Sequence, residues 1–86
     1  MKLVVTGPFE RDFRSLPNDI QKRVEKTLRL LVVNPRHPSL RIHKMEPKER
    51  EIFEARVTQG YRLTFTVLSG ALIVRRVGTH DILRTP

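Results

Sequence analysis

Apolar and polar residues alternate with two different periods along this chain, which separates a helical N-terminal part from a C-terminal sheet. Residues 3–5 form a short apolar run that Gly7 and Pro8 interrupt, and this predicts a strand followed by a helix that begins near Pro8. Apolar residues then recur three or four positions apart and predict two helices, with Phe9, Phe13 and Leu16 in the first and Ile20, Val24, Leu28, Leu31 and Val32 in the second. Asn34-Pro35 ends the second helix.

Residues 34–50 have no regular period. Pro35, Pro38 and Pro47 interrupt this stretch, which predicts a loop, a short strand within residues 41–45 and a turn at residues 46–50.

The next two strands form a hairpin whose register follows from their apolar faces. Phe53, Ala55 and Val57 alternate with polar residues, and so do Tyr61, Leu63, Phe65 and Val67. A two-residue turn would pair Val57 with Arg62 and mix the faces, whereas a three-residue loop pairs Val57 with Tyr61 and keeps them together. We therefore expect the three-residue loop, with Gly60 in its left-handed position.

This register places Arg56 directly opposite Arg62, and Glu54 opposite Thr64, on the polar face. Like charges in direct opposition destabilise a sheet. Three arrangements would relieve the repulsion: Glu54 bridges the two arginines, both side chains extend into water, or the site binds an anion.

The last strand is apolar on both faces over residues 72–74, as in a central strand. If Val67 pairs with Ala71, then Arg76, Gly78 and His80 share the polar face with the two opposed arginines. A loop one residue longer would put them on the other face. We expect the first register.

These elements predict a single α+β domain over residues 1–86, with two N-terminal helices packed on one face of a small twisted antiparallel sheet and a basic opposite face. Lys and Arg number 17 against 9 Asp and Glu, a net charge of +8, which favours a polyanionic partner such as nucleic acid. With no cysteine, no signal peptide and no apolar span, we expect a soluble cytoplasmic protein without membrane contacts. The histidines at 37, 43 and 80 lack metal-ligand spacing, so we expect no metal and no cofactor.

The candidate chemistry is cleavage of RNA by its own 2'-hydroxyl, which needs an acid, a base and cations around the phosphate. His80, at the end of the last strand, has the one kind of side chain that is suited to acid or base work near neutral pH, and it is the candidate acid-base group, with Asp81 beside it as a cap or orienting group. Arg56 and Arg62 are candidates to stabilise the phosphorane. Candidates for the second proton transfer are His37, Lys44 and Glu54. Candidates for further contacts to the RNA backbone are Arg76, Lys44, Arg41 and His37.

Three motifs resemble one known family over residues 2–84. They are Gly60-Tyr61-Arg62 in the central hairpin, Arg76-Val77-Gly78-Thr79-His80 at the last strand, and the segment 34–40 after the second helix. Together they resemble the RelE/ParE superfamily of toxins from type II toxin-antitoxin systems, and the Gly-Thr-His ending resembles its YafQ-like branch.

The resemblance implies a metal-independent endoribonuclease that cleaves mRNA on the translating ribosome and is neutralised by a cognate antitoxin in a hetero-oligomer. It also implies that Arg62 stabilises the phosphate and that His80 is the general acid. The alternative is a toxin-fold binding protein without catalysis, either a ParE-like gyrase inhibitor or a module that binds an antitoxin or another partner.

Overall fold

Two helices follow the first strand, as the apolar spacing predicts. In the computed structural model, which describes residues 1–46 and 51–86, strand β1 spans Lys2–Val5, helix α1 Gly7–Arg14 and helix α2 Asn18–Val33. Thr6 caps α1 by accepting a hydrogen bond from the Phe9 amide at 3.4 Å, and Pro8 occupies the first turn. The predicted turn at 46–50 falls on residues 47–50, outside the described ranges.

The remaining strands are short except for the last two: β2 (His43–Lys44), β3 (Phe53–Arg56), β4 (Arg62–Leu68) and β5 (Ala71–Gly78). Their order in the sheet is β1-β5-β4-β3-β2. The α+β fold class is confirmed, but the expectation of a purely antiparallel sheet is wrong at one edge, because β1 pairs with β5 in parallel. In the sequence, α1 and α2 lie between β1 and the other strands. This long connection allows β1 and β5 to run in the same direction side by side.

The predicted register of the β3–β4 hairpin is confirmed. Ala55 pairs with Leu63, Arg56 pairs with Arg62, and the Val57 amide donates to the Tyr61 carbonyl at 3.0 Å. The left-handed conformation predicted for Gly60 is wrong, since its φ is not positive. The hydroxyl of Thr58 instead accepts from the amides of Gly60 and Tyr61 at 3.2 and 3.1 Å, and so stabilises the loop without a positive φ.

The predicted register of the β4–β5 hairpin is wrong, but the face predicted for the far end of β5 is correct. Leu68, not Val67, pairs with Ala71, because Ser69 and Gly70 form a two-residue turn with φ values of 50° and 76°. A bulge then makes Arg75 an extra residue in β5, since Phe65 pairs with Val74 and Thr64 with Arg76. The bulge returns Arg76 and Gly78 to the polar face on which the sequence places them.

The hydrophobic core lies between the helices and the sheet. Its buried residues are Phe9, Val24, Leu31, Leu40, Ala55, Leu63, Phe65, Leu72, Val74 and Val77. Among the described residues, no helix has the length and apolar character that a membrane crossing requires.

The C-terminal segment covers part of the opposite face of the sheet. A 3₁₀ helix spans His80–Arg84, and its buried Ile82 contacts Gly78. The Thr64 hydroxyl donates to the Pro86 carbonyl at 3.1 Å. The segment packs on the polar face of the sheet because burying Ile82 removes apolar area from water.

Candidate functional site

The polar face of the sheet carries two rows of residues that oppose one another across neighbouring strands. The first row contains His43, Glu54, Thr64 and Arg76. The second row contains Arg56, Arg62 and Gly78, at the end of the sheet where the β3–β4 loop lies. Directly opposed side chains in a sheet share one face and are close enough to interact.

Glu54 joins a histidine and an arginine across β2, β3 and β4. Its Oε1 accepts from Arg62 Nε at 3.0 Å, and its Oε2 lies 3.1 Å from His43 Nε2. Glu54 is only 7% exposed, and a buried carboxylate is costly unless it is paired. Arg62 provides that partner. His43 was not among the residues that the sequence indicated, because its contact depends on the register of β2. A strand register extended to His43 would have identified it.

Arg62 also holds the β3–β4 loop. Its Nη1 donates to the carbonyls of Thr58, Gln59 and Tyr61 at 2.8, 3.0 and 3.2 Å. One arrangement that would relieve the Arg56–Arg62 repulsion is a bridge from Glu54 to both arginines. Of these two arginines, Glu54 pairs only with Arg62, so the bridge is half formed. These contacts hold the Arg62 guanidinium on the polar face.

Arg76 is held by α1 and the C-terminal segment. Its Nε and Nη2 donate to the carboxylate of Asp12 at 2.6 and 3.2 Å, and its Nη1 donates to the Thr85 carbonyl at 3.1 Å. The hydrogen bond that Arg76 donates to Asp12 raises the pKa of Arg76 above its ordinary value, against a smaller opposing effect of burial. Arg76 therefore lies on the predicted face, but its donors are used within the protein.

His80 begins the C-terminal 3₁₀ helix and is exposed, as is Asp81. It follows Gly78 by two residues, and Gly78 opposes Arg62 directly. The structure thus brings Arg56, Arg62 and His80 to one end of the sheet.

The other predicted contacts lie elsewhere. His37 Nδ1 accepts from the Ser39 amide at 3.2 Å and caps a 3₁₀ helix at Pro38–Leu40. Arg41 follows that helix with a φ of 46°, and Lys44 pairs with Phe53 on the face toward the helices. No group of three or more metal-binding side chains occurs within residues 1–46 and 51–86.

Comparison with solved structures identifies the fold. No family model and no curated protein matches the sequence. A crystal structure of YafQ from E. coli has a TM-score of 0.79 at 19% identity, covering 95% of this chain and 96% of that one. The E. coli DinJ-YafQ toxin-antitoxin complex has a TM-score of 0.79 at 17% identity, covering 95% of this chain and 94% of that one. The RelB-RelE antitoxin-toxin complex from Methanococcus jannaschii has a TM-score of 0.76 at 19% identity, covering 95% of both chains. The chain therefore has the fold of the YafQ and RelE toxin structures, which is the fold that the resemblance implies.

Proposed function

We propose that this protein is the toxin of a toxin-antitoxin system and that it cleaves mRNA on the ribosome without a metal. The observation that carries the proposal is the row of Arg56, Arg62 and Gly78 on three adjacent strands, with His80 two residues beyond Gly78. The likeness to the YafQ and RelE structures supports it. A net charge of +8 favours an RNA substrate.

In this reaction the 2'-oxygen of the RNA attacks the neighbouring phosphorus, and the bond to the 5'-oxygen breaks. A base accepts the 2'-hydroxyl proton, and His80 donates a proton to the departing 5'-oxygen. The products are a 2',3'-cyclic phosphate and a 5'-hydroxyl. Arg56 and Arg62 stabilise the charge that the phosphorane gains. Of the three candidate bases, Glu54 is the one in contact with Arg62, whereas His37 and Lys44 lie elsewhere.

A cognate antitoxin is the proposed protein partner. YafQ and RelE are described in complexes with DinJ and RelB. By analogy, this toxin forms a hetero-oligomer with an antitoxin in the cytoplasm, and binding blocks its access to the ribosome.

The test compares the wild-type protein with His80→Ala in single-turnover cleavage of mRNA on purified ribosomes. We expect the rate to fall by about 10²- to 10⁴-fold with little change in ribosome binding, because a proton donor acts mainly in the transition state. His80 is exposed, so thermal unfolding of the two proteins should agree. Arg62→Ala is a weaker test because Arg62 also holds the loop and pairs with buried Glu54.

Equal cleavage by the two proteins would remove His80 from the mechanism. Separate labelling of protein and DNA synthesis after expression distinguishes the alternative. An arrest of DNA synthesis that precedes any loss of translation would identify a gyrase inhibitor instead.

A further inference from the structure

We infer that a cleft between α2 and the end of β3 binds a second phosphate group of the RNA strand, apart from the phosphate at His80. The cleft has a volume of about 190 Å³. Arg23 and Lys26 of α2 line the cleft together with Arg56, and Leu30 and Leu40 form the apolar part of its wall. This inference rests on the proposed function and names a further contact with its substrate.

Three cations from two different elements line this cleft. Arg23 and Lys26 are three residues apart, which puts them on one face of α2, and Arg56 comes from the end of β3. The lining contains no carboxylate. None of the three cations forms a salt bridge with any residue in the described part of the chain. A lining of this kind attracts an anion.

The hydroxyl groups of the cleft are already used. The Thr27 hydroxyl donates to the Arg23 carbonyl at 2.9 Å, and the Ser39 hydroxyl lies 2.7 Å from His37 Nδ1. Recognition therefore falls to Arg23 and Lys26 of α2, together with Arg56, which lies between the cleft and Arg62 and so borders both phosphate positions. Arg23 and Lys26 are exposed beside a wall formed by Leu40, which is 1% exposed, so their attraction for an anion acts through water and weakens as salt is added.

The chemistry favours a phosphate group over a carboxylate. Two guanidinium groups and one ammonium group offer donors from several directions, which suits the several oxygens of a phosphate better than the planar pair of a carboxylate. At about 30 Å³ per water molecule, the cleft has room for about six, so it can hold a phosphate with part of its hydration.

The cleft lies within reach of an RNA strand bound at His80. Arg56 opposes Arg62, and Arg62 opposes Gly78, so two strand spacings separate Arg56 from Gly78. That distance is about 10 Å. One RNA strand would then contact the cleft with one phosphate and present another to His80.

The experiment measures binding of a short single-stranded RNA with 2'-O-methyl groups, which block attack by the 2'-oxygen. The variants are Arg23→Gln and Lys26→Gln. The matched control is Lys22→Gln, which removes the same charge from an exposed position of α2 outside the cleft. We expect each cleft variant to weaken binding by about 5- to 10-fold and to reduce the salt slope of log K by about 0.7, the value for one phosphate contact on a single strand. Lys22→Gln should bind within about twofold of wild type.

Further measurements separate this inference from the proposed function. Inorganic phosphate should shift the amide NMR signals of Ser39 and Leu40 in the wild-type protein and not in Lys26→Gln. If His80→Ala abolishes cleavage but Lys26→Gln and Lys22→Gln bind RNA equally, the cleft is refuted and the nuclease stands. If the cleft variants lose RNA affinity while the wild-type protein does not cleave mRNA on ribosomes, the nuclease is refuted and the cleft stands. Equal weakening of binding to a polyglutamate peptide would indicate an acidic protein partner and overturn the assignment to RNA.

Discussion

Asp12 joins helix α1 to strand β5, and its removal tests how the end of β5 that carries the candidate site is held. Beyond Val74, β5 has no pairing with β1, so the backbone at Val77 needs a partner from outside the sheet. Asp12 of α1 supplies it by accepting from the Val77 amide at 3.2 Å and from two nitrogens of Arg76 at 2.6 and 3.2 Å. Asp12→Ala removes all three hydrogen bonds.

The size of the effect follows from burial. Removing one partner of a fully buried ion pair costs about 3 to 5 kcal/mol. The side chains of Arg76 and Asp12 are 27% and 20% exposed, so water screens part of this interaction. We expect Asp12→Ala to lower the free energy of unfolding by about 2 to 3 kcal/mol, which corresponds to a fall in Tm of about 8 to 24 °C in a domain of this size. Asp12→Asn keeps an acceptor for the Val77 amide and should cost less.

Chemical denaturation and calorimetry measure the loss, with Asp19→Ala as a control at an exposed position of α2. A double-mutant cycle with Arg76→Gln isolates the coupling between the two side chains. Because the pKa of Arg76 is raised, the contribution through Arg76 is complete below the ordinary arginine pKa and is lost only as pH rises through the higher folded value. The difference between wild type and Asp12→Ala should therefore be constant between about pH 6 and 9. A change below about 0.5 kcal/mol, or zero coupling, would refute this account of the strand end.

Two further predictions concern glycines, and both are checked by thermal unfolding. Gly78→Ala should destabilise by about 1 to 3 kcal/mol, because its Cβ would lie 2.8 Å from Ile82 Cγ2; no loss would mean that the C-terminal 3₁₀ helix does not pack on β5. Gly70→Ala should cost about 1 to 2 kcal/mol because its φ is 76°, whereas Gly60→Ala should leave stability within about 0.5 kcal/mol of wild type. Equal losses at both glycines would contradict the two loop conformations.

The local elements of the fold and one face of the site could be predicted from the sequence. Apolar residues that recur with a period of 3.6 predict α2, and this helix ends at Val33, directly before Asn34-Pro35, as the sequence predicts. The register of β3 and β4 follows because only a three-residue loop keeps both apolar faces together. That register alone places Arg56 opposite Arg62.

The long-range arrangement is determined by the tertiary structure. An apolar pattern indicates which face of a strand is buried but not which strand lies beside it, so the parallel pairing of β1 with β5 is not contained in the pattern. The turn at Ser69-Gly70 and the bulge at Arg75 each shift the predicted register by one residue in the same direction, and the combined shift of two residues keeps Arg76 and Gly78 on the predicted face.

The use of each charged side chain also depends on the folded chain. Arg76 pairs with Asp12, 64 residues away, and His43 pairs with Glu54 across β2 and β3. A sequence shows the charges but not the distances between them, and the strength of an ion pair depends on those distances and on burial. Composition therefore predicts an anionic partner, while the folded sheet and helices determine which cations remain available to bind it.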